Sequence, residues 1–290
     1  MNNSTGEKLV ETVTHSSKYT CSALLCYYRN DNPLDLKKAL NSIFNQNLSN
    51  FEVVIVRDGP VEQNLESIIE SFQQDHQFKH IKLAENQGLA LALNAGLAES
   101  FSDYIIRCDA DDFNNLKRFE KLLIKLEEGF DVVGSSVVEV DPATDVKKLK
   151  KQPLSDSGIK KEMCLRNSMN HQSVAFRKDK IIALGGYRDV HLAEDYDLWL
   201  RAIAANSTFA NLEEPLVTVT AGDAMLKRRR GIRFLVTELE LMKLKLKIEN
   251  YSFLKVLSFT LLRLFARYSP ILVVKWIYTT FLRTSLPKST

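Results

Sequence analysis

The chain has 290 residues, 45% hydrophobic and 26% charged. At roughly 100 to 200 residues per domain this allows one large domain or two modest ones with a sizeable core, and it excludes a disordered chain or a polytopic membrane protein. The formal net charge of +3 is too small to indicate nucleic acid, but it conceals a split, because residues 221–290 hold 14 Lys+Arg against 4 Asp+Glu, leaving residues 1–220 at −7. An acidic body with a basic, apolar tail implies an anionic partner for the tail, phospholipid or diphosphate foremost, or else a solvated basic helix face.

Residues 1–18 read as a polar, disordered tail without the apolar stretch of a signal peptide, so a reducing cytosolic location is expected. Cys21, Cys26, Cys108 and Cys164 lack metal-site spacing and are expected as reduced thiols. From residue 19 onward, short apolar runs at 21–28, 51–56, 81–84, 104–108 and 132–138 predict buried parallel strands. Between them, Asn32-Pro33 opens a helix with Leu36, Leu40, Ile43 and Phe44 on one face, and further amphipathic stretches occupy 61–72, 88–101 and 116–126. Such alternation predicts an α/β fold with a mostly parallel sheet covered on both faces, and ligands at the carboxyl ends of the strands. Residues 139–170 predict a polar surface loop, followed by strands at 171–176 and 216–220 and a helix at 195–205.

The strand ends gather chemistry. Arg29-Asn30-Asp31 follows the first strand, Asp58-Gly59-Pro60 the second, Asn86-Gln87-Gly88 the third and Asp109-Ala110-Asp111-Asp112 the fourth. Asp-Gly-Pro is also ordinary turn chemistry. Three carboxylates within four residues repel one another unless a cation or donors compensate, and a hard divalent ion completed by substrate phosphates does so economically. Asp112 is equally suited to cap the following helix.

The order of these motifs resembles the family 2 glycosyltransferases, which have the GT-A fold. The resemblance covers residues 20–220 and is carried by the strand ending at Tyr28, Asp58-Gly59, Asn86-Gln87-Gly88 with Asn94-Ala95-Gly96, Asp109-Ala110-Asp111, and Glu194-Asp195 leading into Tyr196-Asp197-Leu198-Trp199-Leu200-Arg201. It implies a nucleotide-sugar donor, a UDP-sugar by default and dTDP as the alternative. Tyr28 and Asp58 would line the base pocket, and Asn86 and Gly88 would lie near the donor. Asp109 would approach the ribose, and Asp111, with Asp109, would hold Mn²⁺ or Mg²⁺. Asp195 would be the catalytic base, with Glu194 the second candidate. His171 would bond a donor phosphate or the acceptor, or serve as a structural histidine, and Trp199 would be core or a sugar-stacking wall. Pro60 after Asp58-Gly59, and Cys26-Tyr27-Tyr28-Arg29 at the end of the first strand, depart from the family's commoner residues.

The implied activity is inverting, metal-dependent transfer to a hydroxyl of a lipid-linked glycan in surface polysaccharide assembly. The alternatives are a sugar nucleotidyltransferase, which needs a Gly-rich loop absent after the first strand, or a silent nucleotide-sugar-binding protein. The domain plan is a GT-A catalytic domain at 19–230 and a basic amphipathic helical extension at 231–290. Arg228 and Arg230, within Lys227-Arg228-Arg229-Arg230, would close over the donor diphosphate, meet a lipid diphosphate or headgroups, or remain solvated. No stretch of 251–286 exceeds seven uncharged residues, too few to span a bilayer. Around a helix, Lys255, Thr260, Arg263 and Arg267 share one arc, with Val256 and Phe259 intruding. Leu254, Leu257, Leu261, Leu264 and Phe265 share the other, and a second helix follows Pro270 with Trp276, Tyr278 and Phe281. This pattern suits peripheral binding at the cytosolic face of the plasma membrane, or docking on the catalytic domain or a second subunit.

Overall fold

The computed structural model describes residues 20–141, 144–220, 232–268 and 284–285. The tail 1–18, the cations Arg228 and Arg230, and the helix expected after Pro270 lie outside the described residues. Strand and helix alternate through β1 (Ser22–Tyr27), α1 (Pro33–Phe44), β2 (Glu52–Arg57), α2 (Gln63–Asp75), β3 (Lys79–Lys82), α3 (Leu89–Glu99) and β4 (Tyr104–Asp109). The α1 start works as its sequence implies, since the Asn32 side chain accepts from the Leu34 and Asp35 amides and Pro33 needs no donor. After β4 come β5 (Phe113–Asn114), α4 (Arg118–Glu127), β6 (Val132–Val140), β7 (Lys147–Lys150) and α5 (Asp156–Met163). A single 3-10 turn (His171–Ser173) leads to β8 (Ala175–Arg177), α6 (Lys178–Ala183), α7 (Glu194–Ala204) and β9 (Phe209–Thr220). The basic end supplies α8 (Ile232–Lys245), α9 (Phe253–Tyr268) and the two-residue β10 (Thr284–Ser285).

The sheet runs β3-β2-β1-β4-β8-β6-β7-β10, with β9 beside β6 and β5. β3, β2, β1 and β4 are parallel, as expected. Beyond β4 the pairing is mixed, because β8 enters antiparallel between β4 and β6, and β6 is antiparallel to β7 but parallel to β9. Alternate residues divide two cores. Leu24, Val54, Val56 and Ile105 face α3 and α7, while Ala23, Leu25, Val53, Ile55 and Ile106 face α1, α2 and α4. Gly96 allows α3 to lie against β1, since a Cβ there would stand 2.2 Å from Leu24 Cδ1.

Residues 139–170 are not the loop that their polarity predicts. β7 is lysine-rich yet pairs with β6, where Lys148 stands opposite Glu139, and the Ser155 hydroxyl caps α5 by accepting from the Gly158 amide. Lysines that read as loop are here carried on a paired strand.

α8 packs on α7 and α9 on α8, and Leu241, Ile248, Tyr251 and Val256 join the core that holds Trp199. α9 seats its mixed arc inward, with Val256 and Thr260 buried, and turns Phe253, Leu254, Leu261, Leu262 and Phe265 to solvent. Lys245 is fully buried with no hydrogen-bond partner, its Nζ 5.0 Å from the Tyr196 ring centroid. Burial, with Arg263 nearby, lowers it to about 8 from 10.5. The unfolded chain therefore binds more protons between these values, and wild-type stability rises with pH across that window. Lys245→Met is expected to raise the melting temperature at pH 7, by on the order of 2 kcal/mol of stability, and to gain less at pH 10. Thermal unfolding of both proteins at the two pH values checks this.

Candidate active site

The parallel register sets Tyr27 level with Arg57 and Cys26 level with Asp109, so Tyr28, Asp58 and Ala110 leave the sheet at one edge. A cavity of about 420 Å³ opens there, within the range of small-ligand sites. Tyr28, Asp31, Asp58, Asn86, Gly88, Asp109 and Asp111 line it, and the loop residues Asp189, Val190, His191 and Leu192 with Glu194 close its far side. Seven of the residues singled out by the sequence, Tyr28, Asp58, Asn86, Gly88, Asp109, Asp111 and Glu194, thus share one cavity.

Asp58 builds its wall. Its carboxylate accepts from the Gln87 amide (2.7 Å), the Gly88 amide (2.9 Å) and the Asn86 side chain (2.9 Å), which ties the end of β2 to the start of α3. Gly59 must follow, because its φ is +82° and a Cβ would lie 2.4 Å from the Asn86 nitrogen. Asn94 ties the other side, donating to the Tyr187 carbonyl and accepting from the Tyr187 amide, each at 2.8 Å. Arg201 bonds Asp197 within α7 and donates to the Leu184 and Gly186 carbonyls, each at 2.9 Å. Residues 184–187 are therefore held from α3 and from α7 before the chain reaches Glu194.

The acid edge is crowded. One carboxylate oxygen each from Asp109, Asp111 and Asp112 lies within 4.8 Å of the others. Arg107, buried on β4, pairs with both oxygens of Asp109. Burial and then the charge of Asp109 raise Asp111 above its ordinary value and lift the buried Asp112 well above its own. Asp31, whose carboxylate accepts from the Tyr28 amide at 2.8 Å, is lifted by burial and by Asp111 and Asp109 to about 7. A clustered, partly desolvated set of oxygens is the donor set of a hard divalent cation, so the residues present fit such an ion. The sequence places Asp31 after the first strand but assigns it no role, and it does not single out Arg107, whose available signal is a charged residue inside the apolar run of β4.

The acidic pair begins α7. Glu194 lines the cavity, whereas the Asp195 carboxylate is held by the Asn167 side chain at 2.7 Å and by the Tyr196 amide. His171 is buried and shares a 3.1 Å hydrogen bond with the Tyr187 hydroxyl instead of lining the cavity. Burial, with Arg107 nearby, drives it well below its ordinary value, so the imidazole is neutral. Trp199 is fully buried, with Phe176 and His171 beside it.

With this geometry, similarity to known proteins is informative. The chain is 35% identical over 89% of its length to the amylovoran biosynthesis glycosyltransferase AmsE of Erwinia amylovora, covering 97% of that protein. It is 34% identical over 91% of its length to the UDP-Gal:alpha-D-GlcNAc-diphosphoundecaprenol beta-1,3-galactosyltransferase of Escherichia coli, covering 97% of it. The crystal structure of S. aureus TarS 1-349 in complex with UDP-GlcNAc superposes with a TM-score of 0.64 at 19% identity, over 85% of this chain and 72% of that one. The family model for glycosyl transferase family 2 matches residues 22–185, and with the sheet order and helical layers described above the chain belongs to that family as a glycosyltransferase of GT-A fold.

Proposed function

We propose that the protein is an inverting, divalent-metal-dependent transferase that moves a sugar from a UDP-sugar to a hydroxyl of a polyprenyl-diphosphate-linked glycan in surface polysaccharide assembly. The observation that carries this reading is a single cavity lined both by the Asp109–Asp111 edge and by Glu194, the neighbour of Asp195. UDP-Gal and a diphosphoundecaprenol acceptor in the name of the E. coli relative, and UDP-GlcNAc in the TarS complex, support the donor and acceptor classes.

Tyr28, Asp58, Asn86 and Gly88 form the wall against which the nucleoside lies, and Asp109 is the residue nearest the ribose. Mn²⁺ or Mg²⁺, when held by Asp111 with Asp109, offsets charge on the departing nucleotide diphosphate. Asp195 takes the acceptor hydroxyl proton as that oxygen bonds to the anomeric carbon, and the carbon's bond to the diphosphate breaks on the opposite face. Asn167 keeps the Asp195 carboxylate oriented for this, and Glu194 is the second candidate for the same proton. His171 serves through Tyr187, while Arg228 and Arg230 are the cations assigned to the diphosphates. The enzyme works at the cytosolic membrane face, where the outer side of α9 lies in the headgroup plane. Among the described residues no helix is long and apolar enough to cross a membrane.

UDP with Mn²⁺ is expected to raise the melting temperature, and Asp111→Ala to abolish the Mn²⁺-dependent part of that rise. Asp195→Asn is expected to lower transfer by about 10²- to 10⁴-fold with UDP affinity within about twofold of wild type, and Glu194→Gln to cost less. Failure to hydrolyse or transfer from any UDP- or dTDP-sugar, with UDP affinity insensitive to Asp111→Ala, overturns the reading. For the membrane role, Phe253→Glu combined with Phe265→Glu is expected to release the protein from phosphatidylglycerol-containing vesicles in a sedimentation assay while UDP binding persists. Unchanged sedimentation removes that role.

A further inference from the structure

We infer that Arg263, on α9, is a positioning residue for the Glu194–Asp195 pair, acting through residues 165–167 and Tyr196. The inference rests on the assignment of Asp195 as the catalytic base. Arg263 is gripped by Glu238 of α8, whose side chain is 1% exposed, through Nε at 2.9 Å and Nη2 at 2.6 Å. That forked pairing fixes the plane of the guanidinium. Its remaining nitrogen, Nη1, donates to the Leu165 carbonyl at 3.3 Å, and its central carbon stands 5.2 Å from the Tyr196 ring centroid.

Both contacts lead to Asp195. Two residues after Leu165, Asn167 accepts from the Met169 amide at 3.1 Å, which orients its NH₂ group toward the Asp195 carboxylate 2.7 Å away. Tyr196 is the next residue in the chain, and its hydroxyl donates to the Met163 carbonyl at 2.5 Å. One guanidinium therefore touches the segment that orients the base and the ring that anchors its backbone. α8 also holds the approach to the pair, since the Thr237 hydroxyl donates to the His191 carbonyl at 3.2 Å. The next residue, Leu192, has a φ of +53°, a left-handed conformation costly for a bulky side chain and kept only where neighbours impose it. A purely structural ion pair would need none of these contacts to converge on the acidic pair.

The test uses the full-length chain. Arg263→Met alone leaves Glu238 buried without its partner, so the informative variant is Glu238→Gln with Arg263→Met, which removes both charges. Activity is followed with UDP-galactose and GlcNAc-diphosphoundecaprenol, and binding with UDP and Mn²⁺. The folded double variant is expected to keep UDP affinity and donor KM within about twofold while transfer kcat falls roughly 10- to 100-fold. Asn167→Ala is expected to lower kcat alike, and the combined variant to fall no further than the worse of the two, because both act on the same carboxylate. Hydrogen exchange across residues 188–197 is expected to rise in the double variant without a change in β1. If Asp195→Asn transfers normally, the base assignment fails and the inference falls with it. If Asp195→Asn abolishes transfer but the folded double variant keeps kcat within twofold, multiplies with Asn167→Ala, or leaves exchange at 188–197 unchanged, the Arg263 role itself is wrong.

Discussion

Repulsion among the carboxylates at the end of β4 is the interaction on which the active-site half of the molecule depends. Parallel strands in register deliver Asp31, Asp109, Asp111 and Asp112 to one edge, where burial and neighbouring charge disfavour ionising Asp31, Asp111 and Asp112. Arg107 removes one charge by pairing with Asp109, and Arg118, buried beneath, opposes Asp112. What the arginines leave unbalanced at the cavity wall is Asp111 with Asp31, an excess of carboxylate that a divalent cation would relieve. The same Arg107 reaches the other half of the molecule, since its charge helps to keep His171 neutral beside Tyr187. Its Nε has no hydrogen-bond partner, so the residue is retained for its charge and its two outer nitrogens more than for complete hydrogen bonding.

The second half answers a different constraint, the fixing of irregular backbone. Residues 184–193 contain no helix or strand, yet they close the cavity and deliver Glu194 and Asp195. Side chains from rigid elements do the holding: Asn94 from α3 at Tyr187, Arg201 from α7 at Leu184 and Gly186, and Thr237 from α8 at His191. Gly186 is required at this crowded point, because a Cβ would stand 2.4 Å from the Asn94 oxygen. A loop placed by amide and guanidinium groups on helices keeps its geometry without a ladder of its own.

Much of this was legible in the chain before any coordinates. Short apolar runs marked β1, β2 and β4, and the rule that ligands gather at the carboxyl ends of parallel strands pointed to Asp31, Asp58, Asn86, Gly88, Asp109 and Asp111 because each lies within a few residues of a strand end, while Tyr28 came from the family resemblance. The illegible parts are contacts made at long sequence separation or through geometry that composition hides. Asn167 lies in the irregular segment after α5 and Asp195 on α7, and nothing in either local stretch names the other. β7 has the composition of a loop because its lysines are balanced across the sheet by Glu139. His171 has the residue type of a ligand and the burial of a structural group.

The basic end shows how an amphipathic pattern can be read with its faces exchanged. A helix with one polar and one apolar arc is ordinarily seated apolar side inward. In α9 the arc carrying Thr260 and Arg263 faces the protein, because Glu238 supplies the opposite charge and Val256 and Phe259, which interrupt that arc, supply apolar contact. The interruptions that made the polar arc look imperfect are what allow it to be an inside face. Part of the tail's positive charge is spent internally, on Arg263 with Glu238 and on the buried Lys245. In the proposed membrane role, attraction of the described helices to an anionic surface would therefore rest less on the excess of lysine and arginine than on Phe253, Leu254, Leu261, Leu262 and Phe265, with the exposed Lys243 and Lys247 as its electrostatic part.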